Sequence, residues 1–90
     1  MTDAPRVTDE RIDSLIVAEQ YHQFPGTTVT VCCLTLENGF NAIGESACVS
    51  PELFNAELGR KIAREKARDK LWVLEGYLLH QRRHAARRGC

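Results

Sequence analysis

Apolar residues first recur at helical spacing at Ile12, Leu15 and Ile16. Thr8 precedes them as a capping residue, with Asp9 and Glu10 in the first turn, where the helix dipole favours acids. The pattern predicts a short helix that fades by about Gln23, behind a loose arm over residues 1–7. Phe24-Pro25-Gly26 then stops it, because proline disfavours helix at the residue before it and Pro-Gly is a turn dipeptide.

Thr27 to Leu36 carries Thr, Val and Leu with no charge, glycine or proline, the composition of a strand. Glu37-Asn38-Gly39-Phe40 turns it, and a return strand runs from Phe40 to about Val49. A two-residue loop at Asn38-Gly39 needs positive φ at both positions. That register sets Cys33 opposite Gly44, Cys32 opposite Glu45 and Val29 opposite Cys48, whereas a bulged three-residue loop shifts every pair by one. One face then holds Val29, Val31, Cys33, Phe40, Ala42 and Cys48. The other holds Thr28, Thr30, Cys32, Leu34, Leu36, Ile43, Ala47 and Val49. Neither is clearly polar, so both ask for cover.

Ser50-Pro51-Glu52 reads as the start of a second helix. Phe54, Leu58 and Ile62 are spaced by four, and Ala63, Ala67, Leu71, Leu74 and Leu78 continue an apolar stripe to about Arg83. Gly76 is the expected bend. Tyr77 to Arg88 is expected to project from the body or to pack on a partner, and residues 80–90 form a basic tail. The elements together predict an α+β domain over residues 1–90, ordered α-β-β-α: a short N-terminal helix, an antiparallel hairpin and a long C-terminal helix packed on the sheet. A chain of 90 residues buries a modest core, so a homodimer is expected.

The formal net charge is zero, but it is unevenly distributed. Residues 1–58 hold nine acids and two bases, and residues 59–90 hold ten bases and three acids. Either the basic half meets an acidic partner or the two halves attract one another. Arg60, Arg64 and Arg68 form a row at i, i+4, i+8 beside Lys61, Lys66 and Lys70. Like charges at that spacing repel slightly, so helix stability alone does not account for the row. It can receive phosphates, carboxylates or an acidic protein face, and Arg60, Lys61, Arg64 and Arg68 are the candidate binding residues.

The four cysteines suggest chemistry first and packing second. Cys32 and Cys33 point to opposite faces of a strand. Cys33 and Cys48 lie four strand positions apart, roughly 13 Å at ~3.3 Å per residue, too far for a disulfide or a shared ion. Glu37 and Glu45 are the nearest charges and would raise a thiol pKa rather than activate it. Cys33→Ser and Cys48→Ser are expected mainly to destabilise. His80 and His84 share a helical face, but arginines surround them and oppose a cation. No Ser-His-Asp set or glycine-rich phosphate loop is present, and the expectation is a protein that is not an enzyme and uses no cofactor or metal. No apolar run reaches the ~18 residues of a membrane span, and the polar start is expected not to act as a secretory signal.

Three segments, TVCCLTLENGF, GESACV and ELGRKIAREKARDKLWVLEGYLL, together with AEQYHQFPGTTVT, resemble the small tailed-phage protein family named after gene forty-nine of phage N-four and gene sixty-six of phage Sf-six. The resemblance spans roughly Ile12 to Leu79 and leaves the basic tail outside it. It implies a phage or prophage accessory gene acting in the host cytoplasm, and it transfers no catalytic residue. Two roles follow as expectations. One is inhibition of a host or anti-phage defence component, by blocking an acidic surface or sequestering a phosphate-bearing ligand. The other is nucleic-acid binding through the basic helix and tail.

Overall fold

A computed structural model describes residues 7–89; the expected N-terminal arm, apart from Val7, lies outside them, as does Cys90. Thr8 caps the first helix, α1 (Asp9–Leu15): its Oγ1 accepts from the Arg11 N–H at 3.1 Å, and its carbonyl accepts from the Ile12 N–H. This helix has only seven residues and buries Ile12 and Leu15. Ile16 already has extended backbone, and Ile16–Gln23 forms a strand, β1, rather than the tail of a helix. The expected two-stranded hairpin is therefore a three-stranded antiparallel sheet in the order β1-β2-β3, with β2 (Val29–Leu36) in the centre and β3 (Asn41–Ala47) at the far edge. Local apolar spacing alone misled at this point. The ladder of β2 pairs with Ile16 and, past a bulge at Val17, with residues 18–23, and extended pairing wins over an isolated helix that buries little.

The Pro-Gly dipeptide is the tip of the first hairpin. The Thr27 N–H donates to the Phe24 carbonyl at 3.1 Å, and Gly26 sits at φ 77°, the arrangement of a type II turn. The second hairpin closes through a three-residue loop. Leu36 pairs with Phe40, the Gly39 N–H bonds the Leu36 carbonyl, Gly39 takes φ 88°, and Asn38 stays at negative φ. The Asn38 side chain accepts from the Phe40 N–H instead. A type I turn followed by a left-handed glycine replaces the primed two-residue loop, and it shifts the register by one. Cys32 now faces Gly44, Cys33 faces Ile43, and Val29 faces Ala47.

That shift reassigns the return strand. The buried face carries Thr30, Cys32, Leu34 and Leu36 from β2 with Ala42, Gly44 and Ser46 from β3. Ile43 and Ala47, expected on this face, lie on the opposite one, with Asn41 and Glu45. The outer face is thus more polar than the first register implied, and among the described residues a single helix layer covers the sheet on one side.

The stretch Pro51–Leu53 forms one 3-10 turn, and the long helix α2 (Ala56–Gly89) begins later than Ser50-Pro51 suggested. Asn55 caps it, its Oδ1 accepting from the Leu58 N–H at 3.1 Å. The helix then runs 34 residues, on the order of 50 Å at ~1.5 Å per residue. It is continuous helix through Gly76, where a bend was expected, and the basic tail up to residue 89 is helical. Its buried stripe is Gly59, Ala63, Ala67 and Leu71, all small except the last. This stripe lies on the sheet with Ile12, Cys32, Leu34 and Ala42, and these residues make up most of the core. The overall extents are 59 × 24 × 21 Å, so α2 overhangs a sheet whose strands span about 25 Å.

Candidate binding surfaces on the long helix

The arginine row faces the acidic start of the chain. The Arg64 Nε donates to the Glu19 Oε2 on β1 at 3.1 Å. The Arg68 Nε donates to the Asp13 Oδ1 at 3.0 Å, and its Nη2 reaches the Asp9 Oδ1 at 3.2 Å, both on α1. Arg11 crosses in the other direction to Glu75 at 3.3 Å. Both partners of the charge asymmetry therefore meet within one chain, and two of the four candidate residues hold α1 and β1 onto α2. Arg60 and Lys61 are exposed and carry no ion pair among the described residues. The four candidates do not form one surface: Arg64 and Arg68 are structural contacts, while Arg60 and Lys61 remain available.

A polar chain continues from Arg64. The Tyr21 hydroxyl donates to the Glu19 Oε1 at 2.6 Å. That bond, and then Arg64, hold the Glu19 carboxylate below its usual range against the opposing effect of burial. Burial first, and the Glu19 contact second, push the Tyr21 hydroxyl up. Because the folded-state pKa of Glu19 is depressed, its contribution to stability is present above the ordinary carboxylate range and is lost as pH falls through the folded value. The group is partly exposed, so the contribution stays within the ~0.2–1 kcal/mol of a surface ion pair. Thermal melts of Glu19→Gln should lie slightly below the parent at neutral pH and coincide with it in strong acid. A gap that persists in acid would show that the carboxylate charge is not its source.

The cysteines separate as their strand positions require. Cys32 is fully buried under α2, Cys33 and Cys48 are half-buried, and none of the three forms a disulfide. Burial pushes the Cys32 thiol up, which favours the neutral, unreactive form. The cost of a serine substitution therefore falls chiefly on Cys32. Cys32→Ser should lose about 1–2 kcal/mol in urea denaturation, since a buried hydroxyl needs a partner. Cys33→Ser should change stability by less than about 0.5 kcal/mol. Among the described residues no group of three or more His, Cys, Asp or Glu side chains comes together to hold a metal ion.

One feature was only partly visible in the sequence, as a segment past Gly76 free to project. Beyond Leu71 the helix is less deeply covered, and Val73, Leu74, Tyr77 and Leu78 are 41–73% exposed. Val73 and Leu74, with Phe40, Ala42, Ile43 and Lys70, border an open depression of about 490 Å³, and a second of about 230 Å³, bordered by Tyr77 and Leu78, adjoins it through Phe40 and Leu74. Past this apolar root, residues 80–87 are exposed throughout. Residues 80–89 hold four arginines and no acid, a formal charge of +4, while residues 7–79 hold eleven acids and seven bases, a charge of −4. No helix is long and apolar enough to cross a membrane among the described residues.

Comparison with characterised proteins and with solved structures gives no match. The family comparison does: residues 7–83 match the model of the Phage protein (N4 Gp49/phage Sf6 gene 66) family, covering α1, the whole sheet and most of α2. The chain belongs to that family of phage proteins.

Proposed function

We propose that this phage protein is a non-enzymatic accessory protein that binds and inhibits a component of its host or of the host's anti-phage defences. It does so in the host cytoplasm by covering an acidic surface. The supporting observation is the division of bases along α2. Arg64 and Arg68 are used within the chain, whereas Arg60, Lys61, Arg82, Arg83 and Arg87 are exposed with no ion pair among the described residues. Exposed arginines on a rigid helix suit carboxylates and phosphates, and they contribute more to specificity and encounter rate than to fold stability.

Two measurements test this. Expression of the protein in a restricting host should raise the plating efficiency of a sensitive phage. The fivefold variant Arg60→Glu, Lys61→Glu, Arg82→Glu, Arg83→Glu, Arg87→Glu should abolish that rise and the recovery of host proteins in pull-downs, with melting temperature little changed. Equal protection and equal recovery by the variant would overturn the proposal.

The +4 helical end supports a second reading, in which the same arginines lie along a nucleic-acid backbone. With about four phosphates neutralised, affinity should then fall by roughly two orders of magnitude between 50 and 200 mM salt. Binding that is absent, or unchanged over that range, would exclude it. The −4 charge of the body weighs against this reading.

A further inference from the structure

We infer that the apolar root of the α2 overhang is the contact surface for a second copy of this chain, with the two long helices antiparallel. Six side chains carry the surface: Phe40, Ile43, Val73, Leu74, Tyr77 and Leu78, each at least 41% exposed. Their concentration on one side of one helix and the adjoining hairpin separates them from scattered surface apolars, which need no explanation. They leave on the order of 600 Å² exposed per chain, so a two-fold pair buries roughly 1,200 Å² in total, the lower bound of a stable specific interface. Positions 73, 74, 77 and 78 repeat at the three- and four-residue spacing with which helices pack against one another. A two-fold axis near Tyr77 lays this patch on its own copy, as an isologous dimer requires.

Charge decides the direction. A parallel pair sets two +4 overhangs side by side, eight arginines with no acid among them. An antiparallel pair sends the two +4 overhangs to opposite ends and sets each against residues 65–74 of the other chain, three bases and two acids within a body of formal charge −4. Opposite fields steer and orient such an encounter, and like fields oppose it. The same arrangement gives each small core a second apolar neighbour, which a chain of this length gains most from. The inference concerns association of the chain with itself, and the apolar contact that carries it uses none of the bases assigned to a host partner.

Sedimentation equilibrium on the full chain tests it. The parent protein should show twice the 10.1 kDa chain mass at tens of micromolar. Tyr77→Glu with Leu78→Glu should shift it to a single chain with its helical circular dichroism retained. Tyr77→Glu alone, at a position two-thirds exposed, serves if the double variant does not fold. Val49→Glu, at a fully exposed position outside the patch, should leave the dimer intact. Raising salt from 50 to 500 mM should weaken the antiparallel dimer several-fold, whereas a parallel one would tighten as its arginines are screened. A parent that is a single chain at all these concentrations overturns the inference. So does a dimer indifferent to both Tyr77 variants, and a dimer tightened by salt overturns the antiparallel arrangement.

Discussion

Gly44→Ala should lower stability by about 3 kcal/mol or more, the largest loss expected from any single methyl group added to this protein. A β-carbon at Gly44 would lie 2.2 Å from the Ala63 carbonyl oxygen, 2.3 Å from the Ala67 nitrogen and 2.9 Å from the Lys66 carbonyl carbon. All three are backbone atoms of α2, so no side chain can rotate away to make room. The helix itself must lift from the sheet, and lifting it uncovers the whole stripe of Ala63, Ala67 and Leu71. Gly44 is needed for space and not for conformation, since among the described residues only Gly26 and Gly39 adopt positive φ. For a domain of this size the loss corresponds to a melting temperature lower by roughly 15 °C. Gly76→Ala provides the opposite sign. Nothing lies within 4 Å of its added carbon, and replacing a mid-helix glycine there should gain up to about 1 kcal/mol. If Gly44→Ala melts within a few degrees of the parent, the close approach of helix to sheet is wrong.

Arg68→Glu should cost about 2 kcal/mol and loosen α1, while Arg60→Glu leaves stability nearly unchanged. Arg68 is the most enclosed of the row, with its side chain 17% exposed, and it bonds two carboxylates of α1 at once. Exposed ion pairs contribute ~0.2–1 kcal/mol each, and reversing the charge adds repulsion from Asp9 and Asp13 to their loss. A seven-residue helix has little stability of its own and depends on such contacts together with Ile12 and Leu15. Amide hydrogen exchange should therefore accelerate across residues 9–15 in Arg68→Glu more than across β2. Restoring the pairing with Asp9→Arg and Asp13→Arg should recover much of the loss. Equal stability of Arg60→Glu and Arg68→Glu would show that the row is a solvated face after all.

These two expectations bear on how the chain can be read for function. A row of arginines at i, i+4, i+8 looks like a ligand site in a linear sequence because its partners are 45 to 59 residues away. Charge bookkeeping allowed two solutions, an external acidic partner or the chain's own acidic half, and no local pattern separates them. Folding β1 against β2 brings Glu19 beside Arg64, and docking α1 brings Asp9 and Asp13 beside Arg68. The exposed bases that remain for a partner, among the described residues, are Arg60, Lys61, Lys66 and Lys70 along the outer side of α2 and Arg82, Arg83 and Arg87 near its end.

Residues Ile16 to Gln23 show the same limit for the fold. Their apolar spacing continues the pattern of α1, yet seven of the eight positions are exposed and the segment is held by β2. An edge strand with little burial leaves almost no periodic signal, because its stabilisation is main-chain pairing that sequence patterns do not record. The register at Gly39 is equally silent, since Asn-Gly suits both a primed loop and a type I turn with a left-handed glycine.

By itself the sequence determined the elements whose signals are local. The Thr8 cap, the Pro-Gly and Asn-Gly turns, the charge-free central strand, the long apolar-striped helix and the family follow from neighbouring residues. Tertiary structure alone decided which way residues 16–23 pair and which thiol is buried. It also decided that Gly44 must admit a helix, and that two of the three arginines in the row are spent on the fold. Those outcomes depend on atoms distant in the chain competing for the same space and the same charges, and that competition exists only once the helix lies on the sheet.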